Sequence, residues 1–270
     1  MFGASREALA RQVVALDDLG SAAGFDRLAD ELFALARLFD AQPQLRVALA
    51  DSGQPVGVRE AIASEILGTR LSPLALQVVK GLVAERWSND LDLVLAVEQL
   101  AAQAAFITAA ADGSLDATEE ELFRFSRAVA ESAELQMALT DPAQGAQTKA
   151  AIVSDLLAGR STVATRTVLQ HAVGHLHGVR IDAAIGHLGQ LAARQRQRVI
   201  ADIRVAAPLD AKQAERLAAV LSRMVGRTVR LNVAIDPSIL GGVHVKIGDE
   251  VVDGTVATKL AQARRAVLEG

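Results

Sequence analysis

Apolar residues return every three or four positions through the first two thirds of the chain. Between Phe25 and Phe39 the stripe is Leu28, Leu32, Leu35 and Phe39, with steps of 4, 3 and 4. That is one face of a 3.6-residue helix. The pattern runs to residue 198 as successive predicted helices of 10–20 residues. It is broken by Gly20 to Gly24, Pro43, Asp51-Ser52-Gly53-Gln54-Pro55, Gly68 and Ser72-Pro73. Asp116 to Glu121 puts acidic and capping residues where they suit a helix start. From Arg198 the period drops to two. Val199–Val205 and Thr228–Ile235 alternate and read as strands, with a helix from Pro208 and Asp210 through Met224 between them, capped by Gly226. Asp236-Pro237 is a turn. Val243, Val245 and Ile247 form a third strand after Gly241-Gly242. Gly248-Asp249 turns into Val251-Val252, and a short helix is expected over Thr255 to Leu268.

The helical part matches itself at a shift of 90 residues. Glu31-Leu32-Phe33 falls on Glu121-Leu122-Phe123, Leu45, Ala48, Leu49 and Asp51 on Leu135, Ala138, Leu139 and Asp141, and Ala61-Ile62 on Ala151-Ile152. After one inserted residue, Gln99-Leu100-Ala101-Ala102 meets Gln190-Leu191-Ala192-Ala193. Capping and turn positions match as well as apolar ones, so the pattern is a helical bundle made twice. The helix from about Leu91 to Ala111 ends the first copy and starts the second. The expected class is mainly α: a tandem duplicated helical bundle sharing a central helix, then a small α+β C-terminal domain. The expected domains are residues 1–111, 91–198 and 199–270.

Composition supports this. Of 270 residues 52 are Ala and 3% are aromatic, a mixture that lets helix axes approach closely. No Cys is present, which excludes disulfides, thiolate metal sites and a Cys nucleophile. The net charge of −4 conceals −9 over residues 1–178 and +5 over 179–270, so the two ends are expected to meet different partners. The longest charge-free runs, Gln99 to Ala111 and Thr167 to Val179, are too short to span a bilayer, and Arg6 and Glu7 interrupt any leader-like run. The expectation is a cytoplasmic chain without direct membrane insertion.

The run Leu231–Leu260 closely resembles the C-terminal signature of the δ subunit of F-type ATP synthase, the bacterial counterpart of OSCP. The elements that carry the resemblance are Asp236-Pro237, Leu240-Gly241-Gly242, Gly248-Asp249 and Val252-Asp253-Gly254-Thr255. An ordinary member corresponds to roughly residues 91–270. The extra front copy resembles the enlarged actinobacterial form. The resemblance implies a non-catalytic stator part of the peripheral stalk, at the cytoplasmic face of the plasma membrane. Its bundle would dock N-terminal helices of α subunits and its C-terminal domain the C-terminal helices of the b stalk. By residues alone, a helical scaffold of another complex remains open.

Two apolar stripes on the helix predicted over Pro73–Trp87 suggest a second seam for a partner helix. Leu74, Val78 and Leu82 form one, and Val79, Val83 and Trp87 the other. Val168 and Ala172 repeat the arrangement, and Ile239 and Leu240 are contact candidates in the tail. Asp236, Pro237, Gly241, Gly242, Gly248, Asp253 and Gly254 are read as structural, with Gly242 needing positive φ or close backbone approach.

Signs of chemistry are few. There is no Gly-x4-Gly-Lys-Ser/Thr, Gly-x-Ser-x-Gly or His-Glu-x-x-His. His171 and His175 sit one helical turn apart, but a continued helix would point His177 elsewhere, so neither metal nor cofactor is expected. Arg194, Arg196 and Arg198 lack interleaved aromatics, and nucleic acid is not an expected partner.

Overall fold

The computed structural model describes residues 3–19, 24–157, 159–196, 198–225, 228–236, 239, 241–247 and 250–255. The chain divides between Gln195 and Arg196 into two compact units.

The first unit is helical: α1 (Ala4–Leu19), α2 (Phe25–Ala41), α3 (Pro43–Ala50), α4 (Val56–Leu67), α5 (Pro73–Ala84), α6 (Asp90–Ala111), α7 (Leu115–Glu131), α8 (Ala133–Thr140), α9 (Ala146–Leu157), α10 (Val163–Gly174) and α11 (Ile181–Arg196). Helices α2 to α5 recur as α7 to α10 with every boundary displaced by 90 residues.

The local chemistry that sets those boundaries recurs with them. The Asp51 carboxylate accepts the N–H of Gly53 at 2.9 Å, and Asp141 accepts that of Ala143 at 2.8 Å, closing the same turn twice. Ser72 caps α5 by accepting the N–H of Ala75, and Thr162 caps α10 by accepting that of Thr165, each at 3.2 Å. Behind each cap stands a glutamate. Glu31 accepts the Ser72 N–H at 3.0 Å and its hydroxyl at 2.6 Å, while Glu121 accepts both groups of Thr162 at 3.0 Å. A carboxylate there suits the positive end of the helix dipole and ties α2 to α5 and α7 to α10. Arg59 and Lys149, also 90 residues apart, are both buried.

The helix expected to reach Trp87 stops at Ala84. Glu85 turns to extended backbone, with φ −74° and ψ 169°. The Arg59 guanidinium donates to the carbonyls of Val83 and Glu85, the latter at 2.8 Å. Those carbonyls would otherwise lack an intrahelical partner.

Helix α6 lies in the core of the unit. Its buried residues include Leu93, Val97, Leu100 and Phe106 and six alanines, which permit close approach by α2. One apolar cluster runs through both copies, from Ala8 to Ala192. By length and composition α6 is also long and apolar enough to cross a membrane, alone among the described residues. Charge-free runs understated it, because Asp90, Asp92 and Glu98 interrupt the apolar sequence without lowering its average much. Its twelve buried residues belong to the unit's own core.

The second unit contains β1 (Arg198–Val205), α12 (Ala211–Val225), β2 (Thr228–Ile235), β3 (Gly242–Ile247) and β4 (Glu250–Thr255), with strands in the order β2-β1-β3-β4. β1 and β2 are parallel, as a crossover through α12 requires. β3 is antiparallel to both β1 and β4. Ala201, Ile203, Val205, Val229 and Val245 of the sheet pack with Leu221 of α12. Thr255 ends β4. The helix expected beyond it, the Gly226 cap and the Gly248-Asp249 turn lie outside the described residues.

Candidate partner-binding groove and an adjoining histidine cluster

Both stripes on α5 are consumed by the chain's own packing. Leu74, Val78 and Leu82 are buried, and so are Val79, Val83 and Trp87. Because α5 ends early, Trp87 folds back under it, and the indole Nε1 donates to the Leu82 carbonyl at 2.9 Å. The first copy therefore presents no open seam along these residues. A single helix face was too narrow a criterion: α1, α2, α4 and α6 all pack on α5.

The second copy differs at the equivalent positions. Ala172 stands where the first copy has Leu82, and His177 where it has Trp87. A cavity of about 350 Å³ lies beside these residues. Its walls include Leu95, Gln99 and Ala102 of α6, Val168 and Ala172 of α10, and Leu188 of α11. Val168 is itself 1% exposed, so it forms the floor, and Ala172 is the more accessible wall.

At the edge of this cavity the three histidines converge, contrary to the expectation for His177. Helix α10 ends at Gly174, and His177 takes φ +47°, the one non-glycine positive φ among the described residues. That turn brings its Nε2 to 3.0 Å from Glu98 Oε1 and 4.0 Å from Asp40 Oδ2. His171 Nε2 lies 2.7 Å from the same Glu98 oxygen, and His175 Nδ1 is 3.3 Å from Asp40 Oδ2. The His171 ring lies between Phe33 and His175, with centroids 4.4 Å from each. Burial pushes the Glu98 carboxyl up, but hydrogen bonds from His171 and His177 outweigh it and hold it at about 2. The bond to Glu98 raises His177. Burial raises Asp40, and burial with the charge of His171 lowers His175 to about 4. Asp40 and Glu98 escaped sequence reasoning because they lie on other helices, far from the histidines in the chain.

In the second unit, the Asp236 N–H donates to the Val205 carbonyl at 2.9 Å, and the Ile239 N–H donates to the Asp236 carbonyl at 3.1 Å. Ile239 is half-buried. Gly241 and Gly242 take φ +154° and +88° before β3. Asp253 and Gly254 lie in β4, opposite His244 and Val243. Arg194 and Arg196 are exposed near the end of α11, and Arg198 opens β1. Pro237, Leu240 and Gly248 lie outside the described residues.

Comparison with known proteins supplies the context. The family described as ATP synthase delta (OSCP) subunit matches residues 97–267. The ATP synthase subunit delta of Parafrankia sp. is 42% identical, with 99% of each chain covered. That of Streptomyces avermitilis is 39% identical over 97% of each chain. A chain of the Toxoplasma gondii mitochondrial ATP synthase hexamer aligns with 63% of this chain and 97% of its own at 21% identity, with a TM-score of 0.28, too low to bear on the fold.

Proposed function

The chain belongs to the ATP synthase delta (OSCP) subunit family, and on that premise we propose how it joins the complex. It is a component of the ATP synthase peripheral stalk. Residues 91–198 receive the N-terminal helix of an α subunit, at the groove walled by Ala172 and floored by Val168. Residues 199–270 receive the C-terminal helices of the b stalk. The chain itself performs no chemistry. It acts by tension, holding the catalytic hexamer still against the rotor, at the cytoplasmic face of the membrane. Residues 1–111 form an additional bundle that extends this connection.

The observation that carries this reading is the contrast between the copies. The cavity beside α10 has room for the apolar side chains of a docked helix, whereas Leu82 and Trp87 fill the equivalent space beside α5. Two further facts support it. The family match begins inside α6, so it takes in the second copy and leaves out the first. In the second unit Met224, Val233 and Ile235 are exposed apolar residues on a segment of positive net charge, fitting an amphipathic acidic helix.

The test uses the full chain and a labelled peptide of the α N-terminus. Ala172→Leu, which copies the first bundle's residue into the groove, is expected to weaken binding at least tenfold without lowering the melting temperature. The emission of Trp87, sealed in the first copy, is expected to stay unchanged on binding. Wild-type affinity in a folded Ala172→Leu protein, or a shift of Trp87 emission, would move the docking site elsewhere.

A further inference from the structure

The convergence of Asp40, Glu98 and His177 goes beyond a stator's needs. We infer that these three side chains form a binding site for a divalent transition-metal ion of the zinc class, bridging the two helical copies. One oxygen of Asp40, one of Glu98 and Nε2 of His177 lie within 4.8 Å of one another. In a tetrahedral zinc site, with ligands about 2.0–2.2 Å from the metal, neighbouring ligand atoms stand about 3.3 Å apart. The His177–Glu98 separation of 3.0 Å and the His177–Asp40 separation of 4.0 Å fall on either side of that spacing, so small side-chain rotations reach it.

The surroundings are those of a built site. Metal-bound carboxylates are held by outer partners that fix their orientation. Here His171 holds Glu98 and His175 holds Asp40. The His171 side chain is only 5% exposed and directs Nε2 at Glu98, while its Nδ1 has no hydrogen-bond partner. His177 reaches the cluster through a left-handed backbone conformation that a non-glycine residue adopts at a cost. Two carboxylates gathered in a half-buried place repel one another, and a cation between them removes that repulsion. An imidazole beside two carboxylates favours zinc, cobalt or nickel over calcium or magnesium.

The repeat shows that this set arises only where the copies meet. Ninety residues from Asp40, His171 and His177 stand Ala130, Gly81 and Trp87, none of them a ligand. Asp40 comes from α2 in the first copy, Glu98 from the shared α6, and His177 from the segment after α10 in the second. A bound ion would therefore join the copies through three separate chain segments, resisting their separation under torque.

Calorimetric titration of the full chain with zinc chloride, after treatment with EDTA, tests the site. One zinc ion per chain is expected, with binding at least tenfold weaker in Asp40→Asn, Glu98→Gln and His177→Ala. His187→Ala, which changes another histidine lining the same cavity, is expected to bind as wild type. Cobalt is expected to add visible d–d absorption that His177→Ala removes. Zinc is expected to raise the melting temperature of the wild type but not of Asp40→Asn. Circular dichroism confirms that each variant is folded, and His177→Gln replaces any that is not. Absence of stoichiometric zinc binding, or binding that survives both Asp40→Asn and His177→Ala, or binding lost equally in His187→Ala, would overturn the inference.

Discussion

Phe33 and Phe123 occupy the same position of the two repeats, and the chain buries the first to 3% while leaving the second 60% exposed. Phe33 lies against the His171 ring on α10, a helix of the other copy. Phe123 stands on α7, in the second copy. An identical residue in an identical local frame thus has two environments.

Their energetic consequences should differ accordingly. Phe33→Ala is expected to cost about 3–5 kcal/mol, through lost burial and the cavity it leaves. Phe123→Ala is expected to change stability by no more than about 0.5 kcal/mol. Denaturant unfolding of the full chain, followed by Trp87 fluorescence, measures both. Equal losses would mean that Phe123 is covered after all.

Glu85 provides an acid-dependent tie between α1 and the end of α5. Its carboxylate accepts from Arg11 at 2.6 and 3.0 Å and from Gln12 at 3.0 Å. The bond from Arg11 holds its pKa below the ordinary value of 4.5. A carboxyl depressed in the folded state stabilises it above the unfolded pKa and loses that contribution as pH falls through the folded one. Wild type is therefore expected to exceed Glu85→Gln in stability at pH 6–7, with the gap closing below pH 4.5. Unfolding midpoints across this range decide it, and a gap that widens in acid would refute the assignment.

Gly242 begins β3 with φ +88°, a conformation that valine adopts only under strain. It also faces Thr255 across the sheet. Gly242→Val is expected to destabilise the second unit by about 1–3 kcal/mol. Trp87 lies in the other unit, so the readout is amide hydrogen exchange in β1 and β3, which should quicken while α6 stays protected. Unchanged exchange in both strands would remove the idea.

Much of this architecture is written locally. The 90-residue repeat was legible because each turn carries its own chemistry: Asp51 and Asp141 close one bend, and Ser72 and Thr162 begin one helix, using bonds that span two or three residues. The change to period two at Arg198 likewise marked β1, since alternation along a strand needs no distant partner. The family signature over Leu231–Leu260 indicated the stator role for the same reason, being a contiguous string. Tertiary structure decided the rest. Whether the stripes on α5 were surface or core depended on α1, α2, α4 and α6 closing round them, and on Trp87 folding back once Arg59 had taken the carbonyls of Val83 and Glu85. His177 joined Asp40 and Glu98 because a left-handed turn after Gly174 redirected its ring, and because α2 packs along α6. Helical periodicity predicts which way a side chain leaves its own axis. It cannot say which helix lies opposite, and burial, ion pairing and cavity shape are all properties of that second surface.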